Sequence, residues 1–154
     1  MMTTAISKLS DAIQGTVERL AAAGLLSFWL AVTPAPASRP RVTKFRGVYY
    51  GKTYEAFRTK AMDALADLDA VPTDKPVIVL LDVIVEKPKT SKKKLPRGDV
   101  DNYAKGPLDV ITKAQKIWKD DDQVVGLWVC KRFAEDGETP GIRITWTELT
   151  EDQP

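Results

Sequence analysis

In the stretch RGDVDNYAK, residues 97 to 105, two carboxylates are separated by a single residue and follow directly on a run of bases. In extended backbone, side chains two positions apart leave the same face, so Asp99 and Asp101 can both reach one cation. Where the chain turns helical, the N–H groups of the first turn favour anions, and Lys105 falls one turn beyond Asp101 on the same side. A further acidic run, Asp120-Asp121-Asp122, closes the same helical region. Such a set suits phosphodiester hydrolysis. Carboxylates would hold a hard cation that lowers the pKa of bound water and polarises the phosphate, while the lysine offsets charge growing on the phosphate or leaving oxygen. Spacing alone leaves a plainer reading open. Aspartate is a common N-cap, Asp101 and Lys105 form an ordinary i,i+4 pair, and three aspartates in a row are common in loops.

The residues around this set bear on the choice. Positions 87 to 97 hold Lys87, Lys89, Lys92, Lys93, Lys94 and Arg97 with no acid among them, a run that would suit a polyanion. Overall charge is only +2, so distribution says more than the total. There is no histidine, which excludes Ser-His-Asp and Cys-His catalysis and His-ligated metals. The single cysteine, Cys130, forms no internal disulfide and no multi-cysteine zinc site. Any bound metal is therefore expected to be oxygen-held, Mg²⁺ or Mn²⁺, and a reducing cytoplasm fits the cysteine usage.

The elements that must position these groups can be read from periodicity. At 154 residues, 44% of them hydrophobic and 29% charged, the chain has the size and composition of one soluble globular domain. Ile6, Leu9, Ile13, Val17, Leu20 and Leu25 predict an amphipathic helix ending near Gly24. The apolar run LAAAGLLSFWLAV follows Asp11 and Glu18, lacks a basic start and is too short to span a bilayer, so neither a signal peptide nor a membrane helix is expected.

SFWLAV predicts a first strand, the prolines of TPAPASRP a break, and the residues around Arg46-Gly47 a small hairpin. From Lys52 to Asp69 a helix is expected with Tyr54, Phe57, Ala61, Leu65 and Leu68 on one side. PVIVLLDVIVEK predicts a mid-sheet strand covered on both faces. DVDNYAKGPLDVITKAQKI predicts a helix, kinked or restarted at Pro107. VVGLWVCKRF and GIRITWTEL predict an antiparallel pair joined by AEDGETPG. The fold expected is α+β (α/β-like) and single-domain: a small mixed β-sheet with a C-terminal antiparallel hairpin, packed by two to three helices. Residues 1–26 would form a helical extension, 27–149 the functional domain and 150–154 an acidic tail. Asp82 is expected to be a paired structural charge, Cys130 and the four tryptophans to be core, and Tyr49 and Tyr50 to be candidate stacking groups.

GDVDNYAKGPLDVITKAQKIWKDDDQV resembles the RusA-type Holliday junction resolvases of phages and prophages. Their pattern is a G-D-x-D-N-x-x-K helix start, an LDAL-like stretch and a W-x-D-D-x-Q element. Gly98, Asp99, Asp101, Asn102 and Lys105 fill the first part, Leu108 to Ile111 the second, and Trp118, Asp120, Asp121 and Gln123 the third. The resemblance covers about residues 28 to 147. It implies a homodimeric, Mg²⁺-dependent endonuclease that makes paired nicks in four-way DNA junctions.

By resemblance, Asp99, Asp101 and Asp121 correspond to the metal-binding catalytic acids, with Asp120 beside them, and Lys105 to a lysine needed for activity. Asn102 would hold the turn or the acids in place. The basic run 87 to 97, with Arg39, Arg41 and Lys44, would meet phosphates. Two rival readings stay open: a metal nuclease for flaps, forks or other branched DNA, and a non-catalytic DNA-structure-binding protein.

Overall fold

The computed structural model describes Asp11, Gly15, residues 24–45 and residues 47–149. The expected N-terminal helical extension and acidic tail lie almost wholly outside these. Along the chain, β1 is Leu26–Leu30, β2 Arg41–Thr43, β3 Gly47–Tyr49, α1 Lys52–Ala66, β4 Val77–Val85 and α2 Val100–Ala114. A 3-10 turn at Asp121–Gln123 then leads into β5, Val124–Phe133, and β6 is Gly141–Glu148. Among the described residues two helices pack on a mixed four-stranded sheet in a single α+β domain, as expected, and β2 and β3 form the expected hairpin. Among the described residues no helix is long and apolar enough to cross a membrane.

Sheet order corrects one expectation. The strands run β1-β6-β4-β5, so the last two strands do not pair with each other; β4 lies between them. β5 pairs parallel to β4, with Val79 opposite Leu127, and β6 pairs antiparallel, with Val79 opposite Trp146. The physical reason lies in β4, where Val77, Val79, Leu81 and Val83 are buried. A strand this buried must pair its backbone groups along both edges. The connector after β5 crosses the end of β4 instead of turning back, and Ala134 N donates to Val85 O at 2.8 Å there. Arg132 and Glu138 close that connector with two 2.6 Å contacts.

One face of the sheet carries the core. Val79, Leu81, Val83, Ile142, Ile144 and Leu30 meet Tyr54, Phe57, Ala61 and Leu65 of α1 and Val110 and Ile111 of α2. Each such aliphatic side chain contributes about 1.5–3 kcal/mol on burial. α2 runs through Pro107 as one helix, so it does not restart there. Pro107 is fully buried, and its neighbour Gly106 lets α1 come close: a Cβ there would stand 2.8 Å from Phe57 Cε1. The packing of the two helices outweighs the one backbone hydrogen bond that the proline removes.

The other face is less covered, which corrects two further expectations. Trp118 and Trp146 are core and Trp29 is half-buried, but Trp128 is 45% exposed and Cys130 is exposed, because both sit on edge strand β5 away from the helices. Asp82 shares this face and lies opposite Arg143. Burial pushes its carboxyl above the ordinary range, and Arg132 and Arg143 pull it only partly back. Among the described residues Asp82 forms no ion pair, because Arg132 is taken by Glu138, which corrects the expected pairing.

Candidate active site

The connection from β4 to β5 carries the basic loop, α2 and the triple aspartate. Asp99 is the N-cap of α2, in extended conformation (φ −78°, ψ 149°), yet its side chain makes no capping hydrogen bond. From there Asp101, Lys105 and Asp109 follow at steps of four and share one face of the helix. Among the described residues no ion pair joins Asp101 to Lys105; both side chains line a cleft instead. The plain readings of these acids, capping and an i,i+4 pair, are therefore not the geometry adopted.

The third acid is delivered by a heavily bonded turn. Trp118 is fully buried, with its Nε1 donating to Thr112 Oγ1 at 2.9 Å. Asp120 caps the 3-10 turn, its Oδ1 accepting from Asp122 N at 3.2 Å. Gln123 Oε1 accepts from Lys119 N and Asp120 N, both at 2.9 Å. Gln123 Nε2 donates to the carbonyls of Thr73 and Lys75, at 2.8 and 3.0 Å. Asp120 is thus engaged in capping, Asp122 is exposed outside the cleft lining, and Asp121 is the member of the run that reaches the cleft.

The cleft has a volume of about 470 Å³. Asp101, Lys105, Asp109 and Asp121 supply its polar lining, and Leu127 and Val129 of β5 form part of its apolar wall. Asp121 is exposed, yet the slight desolvation it meets raises its carboxyl above the usual range, helped by a hydrogen bond with Asp120 and by the charges of Asp120, Asp109 and Asp122. Crowded carboxylates of this kind lose their mutual repulsion when a cation joins them. Among the described residues no three acids converge into a ligand set by themselves. Mg²⁺ asks for less: one or two carboxylates, with water and phosphate oxygens completing the shell. The donors present fit such an ion.

Asp109 is the residue the sequence argument passed over, although its position eight after Asp101 placed it on the same stripe. Asp99 is exposed and outside the cleft lining, next to Val100, which does line it. Asn102 acts here through its backbone, its carbonyl accepting from Ala37 N at 2.8 Å. That bond brings the segment leading to Arg39 beside the first turn of α2. Lys87, Lys89, Lys92, Lys93, Lys94 and Arg97 are all exposed, as are Arg39, Arg41 and Lys44. Tyr50 is not an open stacking platform: its ring meets Tyr54 edge-on at 5.4 Å, with the Arg58 guanidinium 4.7 Å above it. The side chain of Tyr49 lies outside the described residues.

No curated protein matches the chain. The family model of endodeoxyribonuclease RusA matches residues 31–146, from just after β1 to Trp146 in β6, and takes in every side chain of the cleft. By that match the chain belongs to the RusA endodeoxyribonuclease family.

Proposed function

We propose that this chain, through residues 27–149, is a divalent-metal-dependent, structure-selective endonuclease that nicks the two equivalent strands of four-way DNA junctions. The observation that carries this reading is the meeting of Asp101, Asp121 and Lys105 in one cleft at the end of an exposed basic loop. Asp101 and Asp121, with Asp109 beside them and Asp99 at the uncommitted N-cap, would hold Mg²⁺, or Mn²⁺ in its place. When bound, the ion supplies Lewis acidity and an acidified water. Asp120 keeps Asp121 directed at the cleft by fixing the turn. Lys105 offers its charge to the scissile phosphate, where developing negative charge is stabilised best in a site partly cleared of water. Leu127 and Val129 form the apolar wall on that side of the cleft.

The lysines of the loop, with Arg39, Arg41 and Lys44, grip flanking phosphates, so affinity is expected to fall steeply with salt. Action as a homodimer in a reducing cytoplasm suits this role, because a two-fold axis presents two sites to two equivalent strands.

The test is cleavage of a labelled four-way junction in Mg²⁺ and in EDTA, with Asp101→Asn beside the unaltered protein. Symmetric Mg²⁺-dependent nicks, lost in the variant while junction binding persists, are expected. Flaps cut well while four-way junctions stay intact would change the substrate class to other branched DNA. Binding without cutting in either Mg²⁺ or Mn²⁺ would overturn the catalytic reading.

A further inference from the structure

Lys131 occupies a position where a charge is out of place. The register of β5 on β4 sends Leu127, Val129, Lys131 and Phe133 toward the helices, since they lie opposite Val79, Leu81, Val83 and Val85. The lysine is half-buried, and an ammonium drawn from water must recover its hydrogen bonds elsewhere. Among the described residues it makes no ion pair with an acid. It turns instead to backbone: Nζ donates to Pro96 O at 2.9 Å and to Gly98 O. The carbonyl between them, Arg97 O, accepts from Tyr103 Oη at 2.7 Å, and the Tyr103 ring centroid lies 5.9 Å from Lys131 Nζ. Three consecutive carbonyls directly ahead of Asp99 are therefore taken by side chains from β5 and α2.

The peptide they hold has little room to turn. Gly98 has φ +96°, and a Cβ there would stand 3.0 Å from Pro36 Cβ and 3.2 Å from Tyr103 Cε2. Asp99 makes no capping hydrogen bond that would fix its own direction. A lysine meant for DNA would stand free in solvent, and one meant to neutralise the acids would lie against a carboxylate. This one does neither.

We propose that Lys131 is a positioning residue for the nuclease site: by fastening the carbonyls of residues 96 and 98, with Tyr103 fastening the one between, it fixes how Asp99 and Asp101 are presented to a divalent cation. This rests on the metal-nuclease reading above, and the experiment separates the two. Mn²⁺ binding to the full chain without DNA is followed by electron paramagnetic resonance. Amide exchange at residues 97–101 is followed by NMR, with amides of β4 and β6 as the control for the fold.

In Lys131→Met, Mn²⁺ affinity is expected to fall about tenfold, the lower end for groups that orient metal ligands from behind. Exchange should quicken at 97–101 and stay unchanged in the sheet. Lys131→Arg, which keeps the donors, should recover most of the affinity. Tyr103→Phe should shift both readouts the same way but less, and it carries the test if Lys131→Met does not fold. Unchanged Mn²⁺ affinity in Lys131→Met overturns the proposal. So does weaker affinity with unaltered exchange at 97–101, which would assign the lysine a purely electrostatic role. An unaltered protein that binds Mn²⁺ yet cuts no branched DNA would sink the nuclease reading while leaving this fastening intact.

Discussion

The turn 118–123 and the loop 87–97 are both charged and both belong to the connection from β4 to β5, yet they are built in opposite ways. In the turn, Gln123 alone makes four hydrogen bonds, Asp120 caps, and Trp118 anchors the whole in the core. In the loop every cation is exposed, and as far as residue 95 the hydrogen bonds are local ones, such as Lys93 N to Ser91 Oγ at 3.3 Å. Its last two residues, Pro96 and Arg97, are held through their carbonyls by Lys131 and Tyr103. The difference matches what each would have to grip. A small cation and a reacting phosphate tolerate little displacement of their ligands. A nucleic-acid backbone is held by summed attraction to many phosphates, which mobile lysines supply without fixed geometry.

The contrast can be broken at several points. The largest effect is expected from Asp121→Asn, which should slow junction cleavage on the order of 10²–10³-fold, as loss of one preorganised electrostatic group commonly does. Asp122→Asn, outside the cleft lining, should cut at close to the unaltered rate; equal losses would mean that the turn does not select Asp121. Next is Gln123→Leu, which removes four bonds and should cost about 2–3 kcal/mol in denaturant unfolding, with cleavage falling further than stability explains. Replacing Lys92, Lys93 and Lys94 together by Gln should reduce the slope of log affinity against log salt by about 2 to 3, leaving Mn²⁺ affinity alone.

The smallest effect sharpens the comparison from within the cleft. Asp121 titrates above the ordinary aspartate range, and Asp109 is one of the charges that hold it there. In the metal-free protein, Asp109→Asn should therefore move the Asp121 carboxyl titration to lower pH, read from its carboxyl carbon shift. An unmoved titration would separate the two acids.

Much of the frame was legible because burial wrote itself into spacing. Tyr54, Phe57, Ala61 and Leu65 marked the inner side of α1, and the apolar run of β4, interrupted only by Asp82, marked a central strand. The pairing of β5 and β6 was not legible, because AEDGETPG has the composition of a hairpin turn whether or not the strands it joins are neighbours. What decided it was the demand of β4 for a partner on each edge. In the site, paired acids drew attention through their closeness in sequence. Asp109 and Lys131 did not, since one stands alone among apolar residues of a helix and the other sits beside Arg132 near the end of a strand. Their signal was a charge recurring at the inward period, visible only once the inward face is known.

The exposed Cys130 has a practical consequence. It is the chain's sole thiol and sits on the face of the sheet turned away from the cleft, with Trp128 Nε1 2.9 Å from its sulfur. A thiol so close to an indole quenches its emission. A maleimide dye attached to Cys130 would leave the cleft chemically untouched while reporting, by energy transfer or by a change in Trp128 fluorescence, when a labelled DNA arm arrives. The molecule thus comes with a single-site optical handle that needs no engineered residue.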